Sequence, residues 1–217
     1  MNVYFMRHGE TDWNTVKRLQ GRTDIPLNAN GSALAERVSC AVHKSNIHFD
    51  RVYTSPLVRA VQTAELMNVY SRAPLVRDER IAEFCFGAAE GVTLSAVLTE
   101  PRYAWLKAWF QTPEAYRAEG GAESMEQFFA RIGSFLDTLR ALEAEAAAAG
   151  SENRATAYDR NVLVVCHGGV VRGLLCCMNG GNAAAFADAW MPNCSLNLAV
   201  LKNGVFSIKY TARVFAE

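Results

Sequence analysis

The chain has 217 residues, half of them hydrophobic, and its 22 Lys and Arg balance 22 Asp and Glu. This length suits one domain with a sizeable core, and no linker-like or charged block divides residues 1–217. The balanced charge excludes the broad basic surface of a protein that binds nucleic acid or is attracted to membranes. Any anion-binding site must therefore be local.

The sequence shows no targeting or membrane-spanning segment. Arg7 interrupts the first apolar run before a signal-peptide core can form, and no later stretch approaches the roughly 18 apolar residues of a membrane span. The six cysteines are scattered without the paired spacing of metal ligands. We therefore expect a cytoplasmic protein with reduced thiols and no nucleic-acid or membrane partner. Nothing in the pattern indicates an oligomeric state.

Short β-rich runs alternate with longer amphipathic segments along the chain. The predicted strands are Val3 to Met6, Arg51 to Thr54, Val162 to Cys166 and Leu196 to Leu201. The predicted helices are Gly31 to about Ser45, Pro56 to about Tyr70 with Ser55 as its N-cap, and Ser124 to Ala149. This alternation predicts an α/β fold of three layers, α/β/α, around a mostly parallel sheet.

Three segments depart from the alternation. Glu152 to Asp159 is typical of a polar loop. Asn203-Gly204 is typical of a hairpin turn, which gives the sheet an antiparallel edge strand. Residues 92–123, which include Trp109 and Phe110, are predicted to form a helical excursion over one end of the sheet. We term residues 92–123 the lid excursion.

Two histidines occupy similar positions at the ends of two predicted strands. His8 follows Val3 to Met6 and Arg7, and His167 follows Val162 to Cys166. Glycines come directly after each histidine and allow a tight turn. Ligands of open α/β sheets bind in the crevice outside the carboxyl ends of the strands. If the two strands are neighbours, the two imidazoles face each other across that crevice.

Two arginines are predicted at the same edge of the sheet. Arg7 adjoins His8, and Arg59 lies in the first turn of the helix that follows the strand Arg51 to Thr54. A guanidinium group stays charged and binds phosphate oxygens through two parallel hydrogen bonds. The candidate ligand is therefore a phosphoryl group.

Five motifs follow one another from Met1 to about Arg172. They are Arg7-His8-Gly9-Glu10-Thr11 with Trp13-Asn14, Gln20 to Leu27, Thr54 to Ala60, Glu83 to Gly91, and Cys166 to Gly169. Together they resemble the histidine phosphatase superfamily, which includes cofactor-dependent phosphoglycerate mutases and the phosphatases related to them. The resemblance implies a phosphoglycerate mutase-like fold and the transfer of a phosphoryl group from a small-molecule phosphate ester.

The resemblance also implies a role for each matched residue. His8 is the expected nucleophile, because a neutral imidazole nitrogen can attack phosphorus and form a phosphohistidine. The resemblance implies that Arg7, Arg59 and His167 hold the phosphoryl oxygens. Glu83 is the expected general acid and base, with Glu90 as its rival. The further positions that match substrate or phosphate contacts are Asn14, Gln20, Gly21 and Gly168.

Neither a metal nor another cofactor is expected. Phosphoryl transfer on Mg²⁺ needs carboxylate ligands, and the chain has no Asp-x-Asp and no His/Asp cluster near the strand ends. Arginine side chains are expected to neutralise the phosphoryl charge instead. A further hypothesis is that oxidation of Cys85 or Cys166, which adjoin matched motifs, inhibits the enzyme.

The residues favour a phosphatase over a mutase. Glu83 is followed by Phe84-Cys85-Phe86, where the mutases carry Arg-His-Tyr, and Glu119 to Ser124 resembles the Gly-Gly-x-Glu-Ser segment of the small phosphatases, including broad-specificity and α-ribazole-type enzymes. A mutase remains the alternative, because three basic residues of the lid excursion offer a second anion site: Arg102, Lys107 and Arg117. A catalytically silent phosphoprotein-binding relative is disfavoured, since both His8 and Glu83 are present.

Overall fold

A computed structural model describes residues 1–149, 160–181, 186 and 191–215. Its strands are β1 (Asn2–Arg7), β2 (Arg51–Thr54), β3 (Leu75–Arg77), β4 (Asn161–Cys166), β5 (Leu196–Lys202) and β6 (Val205–Arg213). They form one sheet in the order β3-β2-β4-β1-β5-β6. Neighbours among the first four strands of that order pair in parallel, whereas β5 is antiparallel to β1 and to β6. The predicted mostly parallel sheet with an antiparallel edge is confirmed.

The central strands β1 and β4 bring the ends of two distant segments together. Both are almost entirely apolar, as expected of strands covered on both faces, and their middle residues are buried. Their register pairs Arg7 with Cys166. The backbone amide of His8 then donates to the Cys166 carbonyl oxygen at 2.9 Å. The parallel pairing therefore leaves His8 and His167 side by side at the carboxyl edge of the sheet.

Helices cover both faces of the sheet, which confirms the three-layer prediction. The α-helices are α1 (Asp12–Thr15), α2 (Ala29–Lys44), α3 (Val58–Met67), α4 (Leu94–Thr99), α5 (Ala104–Gln111), α6 (Met125–Ala149) and α7 (Gly168–Met178). Short 3₁₀ turns cover Glu79–Ile81, Gly87–Ala89, Pro101–Tyr103 and Pro113–Ala115. No helix among the described residues is long and apolar enough to cross a membrane.

Alternate residues of β1 supply the two cores. Val3 and Phe5 belong to the core that includes residues of α6 and α7, whereas Tyr4 and Met6 belong to the core that includes residues of α2 and α3. This division follows from the two-residue period of a strand, which sends successive side chains to opposite faces. The larger core continues into the lid excursion, where Trp109 packs 5.3 Å from the Phe84 ring, centroid to centroid.

Several predicted boundaries are corrected by the structure. Helix α3 begins at Val58, not at Pro56, and its N-cap is Leu57, not Ser55. The Ser55 hydroxyl accepts from the Leu57 amide at 3.3 Å and contacts His167 Nε2 at 2.7 Å. Helix α2 begins at Ala29, where Asn28 Oδ1 accepts from the Gly31 amide. The three-residue strand β3 was not predicted, since its sequence is too short to show a period. The predicted loop over 152–159 lies outside the described residues.

Candidate active site

A cleft of about 180 Å³ opens at the carboxyl ends of β1 and β4. Its volume lies below the roughly 300–1,000 Å³ of sites for drug-sized ligands, so it suits a small molecule. Residues from six segments of the chain line it: Arg7, His8, Asn14, Arg18, Leu19, Gln20, Gly21, Arg59, Glu83, Phe86, Trp109, Phe110, Gly168, Gly169, Arg172 and Met191. Gly168 and Gly169 open helix α7 there, and the amino terminus of a helix favours anions.

The His8 imidazole is held in one tautomer. Its Nδ1 lies 2.7 Å from the Gly9 carbonyl oxygen, which can only accept, so Nδ1 carries the proton. Its Nε2 accepts a hydrogen bond from Arg59 Nε at 3.3 Å. Burial, together with the positive charges of Arg59 and Arg7, holds the His8 pKa well below its usual value. The side chain is therefore neutral at pH 7, with the Nε2 lone pair at the cleft.

The backbone around His8 is fixed by two residues that the sequence did not single out for this role. The Gly9 amide donates to Thr63 Oγ1 at 3.0 Å. Asn193 Nδ2 donates to the carbonyl oxygens of His8 and Gly9 at 2.9 and 3.1 Å. Asn193 lies in the loop before β5, and no local pattern relates it to the His8 turn. Only the folding of the sheet brings the two together.

The second histidine lies behind the first. The rings of His8 and His167 are 5.1 Å apart, centroid to centroid, at an interplanar angle of 60°. His167 is fully buried and does not line the cleft wall, and its Nδ1 has no hydrogen-bond partner among the described residues. Burial and the nearby charge of Arg59 hold the His167 pKa well below its usual value. Both imidazoles are therefore neutral at pH 7.

Two buried neutral histidines predict a loss of stability in acid. Each histidine binds a proton near pH 6.5 in the unfolded chain but only at much lower pH in the folded one. As the pH falls below about 6.5, the unfolded state gains protons and the free energy of unfolding falls, by up to about 2.7 kcal/mol per pH unit for the pair. Urea unfolding at pH 7.5, 6.5 and 5.5 measures this slope. The His8→Asn variant should have about half of it, and an unchanged slope in that variant would contradict the assignment.

Two arginines supply permanent positive charge to the cleft. Arg59 is fully buried, and its terminal nitrogens donate to the Gly21 and Thr23 carbonyl oxygens at 2.7 and 2.9 Å. Burial lowers the pKa of Arg59 to about 10, which leaves it charged at pH 7. Arg7 donates from Nη1 to the Met191 carbonyl oxygen at 2.7 Å, and its Nε is buried without a partner among the described residues. The structure thus brings both predicted guanidinium groups to His8.

The Glu83 carboxylate lies in the cleft wall at the start of helix α7. Its Oε2 accepts from the Gly169 amide at 3.2 Å, and its Oε1 accepts from the Phe84 amide at 2.8 Å. A Cβ at position 169 would lie 2.6 Å from Oε1, so a glycine is needed there for the carboxylate to approach the start of α7. Glu83 lines the cleft and is half-buried.

Glu90, the rival acid, is held away from the cleft wall. Its Oε1 accepts from the Arg22 and Phe86 amides at 2.9 and 3.2 Å, and its Oε2 accepts from the Thr23 amide and hydroxyl at 2.8 and 2.6 Å. These four bonds join the segment around Arg22 to the segment around Phe86. The geometry therefore makes Glu90 a structural residue and leaves Glu83 as the carboxylate at the cleft.

The remaining predicted contacts all line the cleft. Asn14 Oδ1 accepts from the Thr11 amide and hydroxyl, both at 3.1 Å, which leaves its NH₂ group to donate to a ligand. Gln20 is buried, and its Oε1 has no partner among the described residues. Gly21 has a φ of +51°, and a Cβ there would lie 2.1 Å from Glu90 Oε1. Gly21 is therefore required by the loop, whatever its contact with a ligand.

An arginine of helix α6 fixes the segment that carries Glu83. Arg131 Nη1 donates to the Arg80 and Ala82 carbonyl oxygens at 2.7 and 2.6 Å, and Nη2 donates to that of Glu83 at 3.2 Å. The same guanidinium contacts the buried Glu123 carboxylate at 2.6 and 2.9 Å. Glu123 belongs to the segment that resembles the small phosphatases, but nothing in the sequence linked Arg131 to it.

The Arg131→Met substitution should destabilise the fold by about 3–5 kcal/mol, because it removes the closest cation from the buried Glu123 carboxylate, which keeps only the longer contact with Arg22 at 3.6 Å, and a donor from three carbonyl groups. Urea unfolding at pH 7.5 measures the change in the free energy of unfolding. The matched double variant, Arg131→Met with Glu123→Gln, should lose less free energy of unfolding than the sum of the two single variants. The reason is that the double variant no longer buries the Glu123 charge without Arg131. Strictly additive losses would show that the pair is not coupled.

The second anion site that the sequence suggested is not found in the lid excursion. Arg102 is exposed and pairs with Glu100 at 2.6 Å, Arg117 donates to the Glu114 and Tyr116 carbonyl oxygens, and neither these residues nor Lys107 line the cleft. The cleft instead contains two other arginines, Arg18 and Arg172. These two could not be selected from the sequence, because neither follows a strand end.

The two cysteines that adjoin matched motifs, Cys85 and Cys166, differ in burial. Cys166 is fully buried, and burial raises the pKa of its thiol, so it is protonated and inaccessible to oxidants. The oxidation hypothesis therefore concerns Cys85, which is half-buried with Sγ 3.7 Å from the Gly121 carbonyl oxygen. Within the described ranges, no group of three or more His, Cys, Asp or Glu side chains could hold a metal ion.

The fold and this cleft together define an enzyme that acts on phosphate esters. The family model of the histidine phosphatase superfamily (branch 1) matches residues 3–213, and the chain belongs to that superfamily.

Similar proteins are named for both of the activities that the sequence left open. The uncharacterized phosphatase PhoE of Bacillus subtilis (strain 168) is 29% identical over 196 residues, which cover 90% of this chain and 86% of that protein. The probable phosphoglycerate mutase GpmB of Proteus mirabilis (strain HI4320) is 30% identical over 204 residues, or 94% of this chain and 86% of that protein. The solved structure of Bacillus stearothermophilus YhfR has a TM-score of 0.81 at 24% identity, over 100% of this chain and 99% of that one.

Proposed function

We propose that the protein is a metal-independent phosphatase that hydrolyses small phosphate monoesters through a phosphohistidine on His8. The observation that carries the proposal is the neutral His8 imidazole, with its Nε2 at the cleft and the guanidinium groups of Arg7 and Arg59 beside it. Because Nε2 carries no proton in this tautomer, its lone pair is free to attack phosphorus.

The proposed reaction has two steps. First, His8 Nε2 forms a bond to phosphorus while the ester oxygen leaves and takes a proton from Glu83. In this step Arg59 and Arg7 donate to the phosphoryl oxygens in place of their present hydrogen-bond acceptors. Preorganised charge of this kind is usually the largest source of rate acceleration. Second, Glu83 takes a proton from water, whose oxygen attacks phosphorus and breaks the P–N bond. Inorganic phosphate then leaves, and Glu83 is protonated again for the next turnover.

The cleft wall favours hydrolysis over mutase activity. The side of the cleft that follows Glu83 is formed by Phe86, Trp109 and Phe110, whose rings offer little to a polar second substrate. PhoE is named a phosphatase and supports this choice, whereas GpmB is named a probable mutase and supports the alternative. In a mutase the phosphoryl group on His8 returns to a substrate hydroxyl group instead of passing to water.

The test measures phosphate release from p-nitrophenyl phosphate in EDTA, together with a 3-phosphoglycerate mutase assay primed with 2,3-bisphosphoglycerate. We expect release that persists in EDTA, no mutase turnover, and a phosphorylated His8 peptide after rapid quenching in alkali, which preserves phosphohistidine. Efficient mutase turnover with little release would instead assign the alternative. Release without any phosphorylated His8 would contradict the proposed mechanism.

A further inference from the structure

The two ring nitrogens of His167 have different surroundings. Nε2 lies 2.7 Å from the Ser55 hydroxyl oxygen, whereas Nδ1 has no hydrogen-bond partner among the described residues. The side chain is fully buried, so Nδ1 is not in contact with bulk water either. A buried polar group without a partner is costly and rare in folded proteins. Neither step of the proposed phosphoryl transfer accounts for it.

The hydrogen bonds of Ser55 decide which nitrogen of His167 carries the proton. The Ser55 hydroxyl has one proton to donate, and its oxygen already accepts from the Leu57 amide at 3.3 Å. Among the described residues, His167 Nε2 is the only acceptor within reach of that proton. If Nε2 carried the proton instead, the Ser55 hydroxyl proton would have no acceptor, and a second buried group would be left unpaired. The neutral imidazole of His167 therefore carries its proton on Nδ1.

Two elements hold Ser55 in place for this contact. Its backbone amide donates to the Val165 carbonyl oxygen of β4 at 3.0 Å. The bond from the Leu57 amide ties its hydroxyl to the start of helix α3, and the whole residue is fully buried. Because β2 and β4 are neighbours in the sheet, the residues that follow them meet at its carboxyl edge. The contact between Ser55 and His167 is therefore preorganised.

The groups around His167 are those that surround the nucleophile. Burial, followed by the charge of Arg59, lowers the pKa of His167. Arg59 also donates to His8 Nε2 at 3.3 Å, and the rings of His8 and His167 are 5.1 Å apart, centroid to centroid. A phosphoryl group on His8 Nε2 would thus bring anionic oxygens next to His167. An N–H group attracts these oxygens, whereas a ring lone pair repels them.

We propose that Ser55 is a positioning residue, which holds His167 in the Nδ1–H tautomer so that this N–H donates to the phosphoryl group on His8. The inference rests on the proposed transfer of a phosphoryl group to His8. It gives Ser55, which the sequence suggested only as a helix cap, a role in the reaction. It also gives the unpaired Nδ1 an acceptor that arrives with the substrate.

Nitrogen NMR of the wild type tests the tautomer without any substitution in the site. Long-range correlations between ring protons and ring nitrogens of ¹⁵N-histidine-labelled protein at pH 7.5 distinguish a protonated nitrogen from an unprotonated one. The chain has four histidines, and the spectra of His8→Ala, His43→Ala and His48→Ala leave His167 to be assigned by elimination. We expect His167 to be protonated at Nδ1. A proton on Nε2 would overturn the inference.

Inorganic phosphate, the product of the proposed reaction, is the probe for the N–H donor. When phosphate is added to the wild type, the His167 Nδ1–H resonance should move downfield, because the proton gains a hydrogen bond to an anionic oxygen. The His43 signals should stay in place, since His43 does not line the cleft. A His167 resonance that does not respond to saturating phosphate would overturn the donation to the phosphoryl group.

Ser55→Ala removes the hydroxyl that defines the tautomer. Both tautomers should then appear in the His167 spectrum, and kcat/KM for p-nitrophenyl phosphate should fall by about 10-fold, the effect of losing one hydrogen bond. The matched control is Ser39→Ala. Ser39 is also buried, but its hydroxyl has no partner among the described residues and it does not line the cleft. This control should keep the wild-type tautomer and the wild-type rate.

The tautomer distinguishes a positioning role from a structural one. A loss of rate in Ser55→Ala with His167 still protonated only at Nδ1 would make Ser55 a structural residue and overturn the inference. An unchanged kcat/KM in a variant that populates both tautomers would overturn it as well. If Ser55→Ala does not fold, the two wild-type spectra decide the inference. A wild type that hydrolyses no ester would overturn the phosphatase function, whereas the tautomer of His167 remains measurable.

Discussion

Replacement of His8 by alanine should abolish phosphatase activity, with kcat falling by about 10⁴- to 10⁶-fold, as for the loss of a nucleophile in other enzymes that use covalent catalysis. The substitution removes the Nε2 lone pair that Arg59 and Gly9 hold at the cleft. No other histidine can replace it, because His167 lies behind the cleft wall. Steady-state release of phosphate from p-nitrophenyl phosphate measures the loss.

The control for this prediction is His43→Ala. Neither His43 nor His48 follows a strand end or belongs to a matched motif, so the sequence predicts that both lie at the surface. The structure shows His48 exposed and His43 half-buried, stacked 4.3 Å from the Tyr70 ring and absent from the cleft. The His43→Ala variant should therefore keep wild-type kcat. If His8→Ala keeps more than about 1% of the wild-type kcat, a loss far smaller than that of a nucleophile, His8 is not the nucleophile.

Replacement of Arg59 by methionine should lower kcat by about 10²- to 10³-fold, the loss expected for one preorganised donor at the site of charge development. Methionine keeps most of the buried volume but cannot donate to His8 Nε2 or to the phosphoryl oxygens. It also leaves the Gly21 and Thr23 carbonyl oxygens without their donor. The melting temperature must be measured alongside kcat, so that the loss of rate is separated from unfolding.

The Arg59→Lys variant distinguishes the effect of charge from that of shape. Arg59 stays charged at pH 7 because its pKa, although lowered by burial, is about 10. A lysine starts from a lower value, and the same burial and the neighbouring Arg7 favour its neutral form. The activity of Arg59→Lys relative to wild type should therefore rise as the pH falls from 9 to 6. A constant ratio would show that charge at this position does not limit the rate.

The sequence was sufficient to predict which residues meet at the centre of the candidate site, but not the residues that surround them. Two predicted strands end at Arg7-His8 and at His167, and the helix that follows a third strand begins near Arg59. The carboxyl ends of parallel strands lie at the same edge of a sheet, so these residues are expected to meet there. Glu83 came from the resemblance alone. Its rival Glu90 is held away from the cleft wall by four hydrogen bonds between segments, and no local pattern records such bonds.

The errors in the fold prediction have a similar origin. Ser55-Pro56 is typical of a helix start, yet Ser55 turns toward His167, a residue far along the chain, and α3 begins later. Arg172 and Arg131 are ordinary helix residues in the sequence, and their roles depend on what packs against the helix. Sequence patterns thus predict elements and their ends, whereas contacts between distant segments decide which polar side chains meet.

The parallel pairing of β1 with β4 also determines how the protein acquires activity as it folds. The two strands come from opposite ends of a segment that contains β2, β3 and the lid excursion. Closing so long a loop is entropically costly, and such non-local pairs form slowly. A partly folded chain that has formed its elements through α3 contains both His8 and Arg59, but it lacks β4, which lies between β1 and β2 in the sheet, and with it His167 and the helix start at Gly168. During refolding, phosphatase activity should therefore return after most of the helical circular-dichroism signal. Its rate constant should be that of the pairing of β1 with β4.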